Sequence, residues 1–171
     1  AIVVFGGRND GGILEDTWSF DTDTASWTEI TCQGIGCNLL PTARYGAEVA
    51  TNYGNSSHVF MAGGETDGGL SDEIWYASLY GGPNIYWTLL CGGASGCSGL
   101  PPLKEGLLIY RENPVDSTTK LLVYHGGEDA AGAISDKTFE LSVVGNTAVE
   151  VSGDWAQICG VGTACPGEAV A

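Results

Sequence analysis

The feature that most constrains this chain is that it repeats itself. A glycine pair recurs three times, as Gly6–Gly7, Gly63–Gly64 and Gly126–Gly127, about sixty residues apart. Each pair closes a short apolar run: Ile2–Phe5, Val59–Met61 and Leu121–Tyr124. An aromatic position follows, Trp18, Trp75 and Phe139, preceded by Asp16, Asp72 and Asp136. A late tryptophan comes next, Trp27, Trp87 and Trp155, four or five residues before a cysteine. A period of this length marks a repeated supersecondary unit that buries its apolar faces only against its neighbours.

Each unit reads as short strands. The apolar runs are rich in Val and aromatic residues and bounded by Gly, the pattern of buried strands rather than helices. Thr17–Phe20, Ile74–Ala77 and Thr138–Leu141 give a second strand, and Trp27–Ile30, Trp87–Leu90 and Trp155–Ile158 a third. A further strand lies between units, Tyr45–Thr51 and Gly106–Arg111, and a third copy of it starts at Gly167–Ala171. No window carries a helical stripe over ten residues, so the expected class is all-β.

Four short strands per unit, with a glycine pair, a mid-unit aromatic and a late Trp, resemble the kelch repeat. The likeness is sharpest in the first unit, where VVFGGRN, DTWSFD, SWTEI and PTARYGAEVA fall in the family's order. The third unit diverges, with Phe139 for Trp and a longer stretch, Val143–Gly153, before Trp155. The resemblance implies a β-propeller segment of about three four-stranded antiparallel blades. Repeat 1 spans about 1–44, repeat 2 about 45–105 and repeat 3 about 106–166, with 167–171 opening a further blade. Gly6, Gly7, Gly63, Gly64, Gly126 and Gly127 are then expected where the backbone turns sharply beside a neighbouring blade. Trp18, Trp27, Trp75, Trp87, Phe139 and Trp155 are expected as blade core.

With strands lettered a to d from the axis outward, the chain starts in a strand b and ends in a strand a. Three blades are fewer than the four to eight of a closed ring, so a larger ring or an assembly is expected, with Gly167–Ala171 pairing beside a strand like Ile2–Phe5. Ala1 at the head and a single Met point to a processed or partial chain. Strand alternation puts the b–c and d–a loops on one face.

Six cysteines fall in three near pairs, Cys32/Cys37, Cys91/Cys97 and Cys159/Cys165. Even numbers at short repeated spacing favour disulfides and an oxidising compartment. Zinc and free buried thiols are the rival readings, but zinc usually gathers four ligands at one point. Asn55-Ser56-Ser57 is an N-glycosylation sequon at a hairpin tip. Together these point to an extracellular or cell-surface glycoprotein of the secretory pathway.

Charge narrows the partners. Twenty-one acids face 6 bases, a net charge of −15, which repels nucleic acid and anionic lipid. No apolar run reaches the ~20 residues of a spanning helix. Asn9-Asp10-Gly11-Gly12 and Thr66-Asp67-Gly68-Gly69 have some flavour of calcium loops, although ordinary turn chemistry accounts for them. No cofactor is expected otherwise. His58 and His125 sit in different units, and no nucleophile triad, phosphate loop or HExxH is present. The expected function is a non-catalytic structural or interaction protein, such as a scaffold, adhesion module or filament subunit, binding proteins or further copies through its terminal strands. The alternative is a blade segment of a secreted enzyme such as a galactose-oxidase-like carbohydrate oxidase with its active residues elsewhere. Such copper oxidases need a Cys–Tyr cross-link and His ligands.

Overall fold

The computed structural model describes residues 2–31, 40–51, 58–78, 85–93, 97, 100–113, 115–116, 119–144 and 150–160. Among them are thirteen strands and no helix. Three antiparallel sheets follow one another along the chain. The first has three strands in the order β1 (Ile2–Asn9), β2 (Gly12–Asp21), β3 (Ser26–Glu29). The second is four-stranded, β4 (Glu48–Thr51), β5 (His58–Ala62), β8 (Ile74–Ser78), β9 (Tyr86–Cys91). A separate ribbon, β6 (Glu65–Thr66) and β7 (Gly69–Leu70), crowns its central hairpin. The third is β10 (Leu107–Glu112), β11 (Thr119–His125), β12 (Thr138–Val144), β13 (Glu150–Cys159). The inferred strand a, b, c, d order therefore holds in two complete blades, and the first blade shows strands b, c and d.

The period of two assigns each blade two faces. Met61, Trp75, Ala77 and Trp87 of the second blade form one cluster with Val3, Phe5 and Ile30 of the first. Phe5 and Trp87 lie 5.3 Å apart between ring centroids. The alternate residues, Phe60, Ala62, Ile74 and Tyr76, face the third blade and meet Leu108, Leu122, Tyr124, Phe139 and Trp155. The middle blade is thus buried on both sides, which is why its strands read as nearly continuous apolar runs. An aromatic side chain so buried contributes about 3 kcal/mol relative to exposure.

Several details depart from the sequence reading. The glycine pairs follow strand b directly in the second and third blades, where β5 ends at Ala62 and β11 at His125, but not in the first. β1 runs on through Gly6 and Gly7 to Asn9, with a register shift between Phe5 and Gly7. The second and third blades keep the same extension only as the β6–β7 ribbon and a bridge between Glu128 and Ile134. The inner strand starts at Glu48 rather than Tyr45, because Gly46 takes φ +63° and breaks the extended run. Of Val143–Gly153, expected as a long connection, Val143 and Val144 belong to β12 and Glu150 to Gly153 to β13, and 145–149 lie outside the described residues. Trp18 is only half-buried and Trp27 is 54% exposed. Both lie on the flank of the first blade that no other described residue covers, whereas their counterparts Trp75 (2%) and Trp87 (7%) are packed by the first blade.

Candidate interaction surface

The blade junctions are built from backbone. Gly7 N donates to Arg44 O at 2.8 Å, and Gly64 N to Leu103 O at 2.9 Å. The glycine pairs of the first two blades thereby receive the segment that leads into the next blade's inner strand, whereas Gly126 N donates within its own blade to Lys137 O. A Cβ on Gly63 would lie 2.3 Å from Leu103 O, and one on Gly6 would lie 2.5 Å from Arg44 O. That close approach, more than a turn, is what demands glycine here.

On the same face, five side chains from all three blades line up. Arg8 follows the first glycine pair and sits 4.8 Å over the Tyr45 ring. The Tyr45 hydroxyl donates to Glu65 Oε2 at 2.5 Å. Lys104 Nζ donates to the same oxygen at 2.7 Å and lies 3.6 Å from Glu128 Oε1. The order Arg8, Tyr45, Glu65, Lys104, Glu128 alternates the strand-a entry residues with the residues just past the glycine pairs. Hydrogen bonds from Lys104 and Tyr45 hold Glu65 below the usual carboxylate range. The bond to Glu65 raises Lys104 and Tyr45 above their ordinary values. The row is a neutralised brace across the blades, with Asp10, Asp67 and Asp129 left on the hairpins around it.

A second motif lies beside the brace and was missed from sequence. Arg44, 1% exposed, donates Nη1 to Gly63 O at 3.0 Å and Nη2 to Glu73 Oε2. Glu73 Oε2 also accepts the Trp75 indole N–H at 2.9 Å. Burial works to raise the Glu73 pKa, but bonds from Arg44 and Trp75 outweigh it and set the group below its usual range. The first blade repeats half of this: Trp18 Nε1 donates to Asp16 Oδ2 at 2.7 Å. Alignment on the tryptophans makes Glu73, not Asp72, the equivalent of Asp16. Asp72 instead accepts a bond from Gly93 N. The third blade has Leu103, Lys137 and Phe139 at these places, so neither ion pair nor indole bond is repeated.

The remaining sites divide. Cys91 and Cys97 form a disulfide six residues apart in sequence. Cys159 is disulfide-bonded. Cys32, Cys37, Cys165, the sequon at Asn55 and the strand expected at 167–171 lie outside the described residues. The two loops with calcium flavour are closed as turns, Gly11 N donating to Asn9 Oδ1 and Gly68 N to Thr66 Oγ1. Among the described residues no group of three or more His, Cys, Asp or Glu is placed to hold a metal. His58 opens β5 against Tyr76. His125 closes β11 against Thr138 Oγ1. The two imidazoles therefore stand at opposite ends of equivalent strands. A cleft of about 390 Å³ opens at the first junction, bordered by Phe5, Ile30, Ile85 and Trp87. No helix among the described residues is long and apolar enough to cross a membrane.

The two four-stranded antiparallel sheets, entered past glycine pairs and each with buried c- and d-strand aromatics, have the strand order that the resemblance to kelch-type blades implies. Residues 1–32 match the kelch motif itself. The chain is 29% identical over 136 residues, 79% of its length, to the flagellar outer-arm dynein alpha chain of Chlamydomonas reinhardtii, of which it spans 3%. Among solved structures, one titled "Structure of YjhT" aligns with a TM-score of 0.44 at 14% identity, over 82% of this chain and 52% of that one.

Proposed function

We propose that this chain is an interaction scaffold, a set of kelch-type blades that works by association rather than by chemistry. The observation that carries the reading is the brace Arg8–Tyr45–Glu65–Lys104–Glu128. It spends the titratable groups of one face on locking three blades together, and leaves a rigid rim of acidic hairpins for a basic protein partner. The match to a small part of a flagellar dynein chain supports the same reading, that of a module within a larger assembly. The test compares partner binding by the wild-type chain and by an Asp10→Lys, Asp67→Lys, Asp129→Lys variant. Partner loss in the folded variant supports the rim. Copper-dependent sugar oxidation by the full-length protein overturns the non-catalytic reading in favour of the oxidase alternative.

For location there are two readings, each with its own support. The Cys91–Cys97 disulfide and the Asn55 sequon favour the secretory pathway and a glycan-bearing surface. The dynein likeness favours a cytoskeletal setting, in which those cysteines would be reduced thiols. Alkylation of protein taken directly from its natural source, followed by peptide mapping, separates the two. Modified Cys91 and Cys97 would remove the secretory reading.

A further inference from the structure

The two blade junctions are built from equivalent positions but close differently. A Leu-Pro step three residues after the second cysteine of a pair recurs as Leu40-Pro41 and Leu100-Pro101. Leu100 is 5% exposed and packed into the second junction, whereas Leu40 is 52% exposed. At the second junction Ala62, Ile74, Leu90, Leu100 and Trp155 belong to one buried cluster. Their counterparts at the first, Phe5, Thr17, Ile30, Leu40 and Trp87, line the open cleft of about 390 Å³. The leucine that fills the second junction is thus withdrawn at the first, and a threonine stands where the second junction has Ile74. The volume lies at the low end of the roughly 300–1,000 Å³ of ligand sites, which is room for one anchoring side chain.

The walls and the border of the cleft differ in character. Pro41, Ile85 and Trp87 are buried, and the Trp87 ring packs against Phe5. The charged residues that border the cleft are Glu15, Asp16 and Glu29, all acidic, with no Lys or Arg among the described lining residues. Glu15 and Glu29 are exposed, and the Asp16 carboxylate already accepts the Trp18 indole N–H. An anionic ligand would meet like charge on this border, in a chain of net charge −15. We propose that the cleft receives a leucine-sized apolar side chain of the basic partner, with a Lys or Arg of the same segment beside the acidic border. The apolar anchor supplies the affinity, as Leu100 does within the chain, and the flanking cation supplies the selectivity.

The inference deepens the association reading, and its test can fail separately. The 171-residue chain is titrated with acetyl-Gly-Arg-Leu-Arg-Gly-amide, and with the same peptide carrying Ala for Leu or Glu for both Arg. The indole ¹H–¹⁵N resonance of Trp87 is the readout. The Leu peptide is expected to shift this resonance and to bind about tenfold more tightly than the Ala peptide. The Glu peptide should bind at least about threefold more weakly, and that difference should shrink in about 1 M salt. Leu40→Arg, at an exposed position, should weaken the Leu peptide at least about tenfold by reversing the charge of the border. Equal affinities of the Leu and Ala peptides, or an unmoved Trp87 resonance, overturn the proposal. So does a shift that appears only after residues 32–39 are replaced by a Gly–Ser linker, which would make the chain's own segment the occupant. Copper-dependent sugar oxidation by the full-length protein would sink the association reading and leave these titrations unchanged.

Discussion

Arg44 and Glu73 show how much one buried pair carries at the residue scale. Removing the charge of Glu73 leaves a guanidinium that is 1% exposed without its carboxylate, so Glu73→Gln should cost about 3 kcal/mol at neutral pH. The folded Glu73 carboxyl titrates below its ordinary value of 4.5. Its contribution is therefore complete above that value and disappears as the pH falls through the folded pKa. The gap between wild type and Glu73→Gln in urea melts should close in acid. Glu48 has the opposite sign. Burial, then the charge of Glu105, raises it, so the ionised group opposes folding. Glu48→Gln should stabilise the chain at neutral pH, and its advantage should vanish once wild-type Glu48 is protonated. Neither role was legible in the sequence. A single Arg in a connecting segment has no periodicity to mark it, and the third repeat replaces it with Leu103. Trp18 and Trp75 were legible as large apolar groups, but their indole bonds to Asp16 and Glu73 depend on a two-residue offset that Asp72 obscures.

At the scale of the element, the glycine pairs and the entry segments specify each other. Gly63→Ala would drive a Cβ to 2.3 Å from Leu103 O at a φ of +66°, at a cost of about 2–4 kcal/mol. At Gly126 the φ is similar, +74°, but the nearest atom to a Cβ is Ser135 O at 3.6 Å. Gly126→Ala should therefore cost only the backbone term, about 1 kcal/mol. Chemical denaturation of the two variants separates close approach from conformation, and equal losses would mean the junction contact carries no weight. The entry turn offers a converse case. Gly46 and Glu105 occupy equivalent places, φ +63° and +56°, so Glu105→Gly should raise stability by up to about 1 kcal/mol. The sequence placed the strands well because buried runs and their Gly boundaries are local signals. The brace Arg8–Tyr45–Glu65–Lys104–Glu128 stayed hidden because its members are fixed only by packing blade against blade. The one-residue offset between Arg44-Tyr45-Gly46 and Leu103-Lys104-Glu105 also masks their equivalence when the flanking glycines are aligned.

Across the whole molecule, stability should follow the number of covered faces. The second blade is packed by the first through Trp75 and Trp87, and by the third through Phe60 and Tyr76. The third contributes the inward side chains of its central strand pair, with Leu122, Tyr124 and Leu141 each at 0% exposure. Among the described residues 2–31, Thr17 is the one buried side chain, while Ile2, Val4 and Trp27 stay open. Few buried apolar contacts and an uncovered strand edge mark a unit that opens at low free energy. Native-state amide exchange should then rank the blades. Amides of β5, β8, β11 and β12 should exchange through global unfolding, and those of β1 and β3 earlier, through local opening. The fully paired β2 should lie between them, because it has neighbours on both edges but one bare face. The Cys91–Cys97 disulfide closes only a short loop, so its reduction should remove about 2 kcal/mol at most, leaving this order intact. If β1 exchanged as slowly as β5 in the isolated chain, its edge would already be covered.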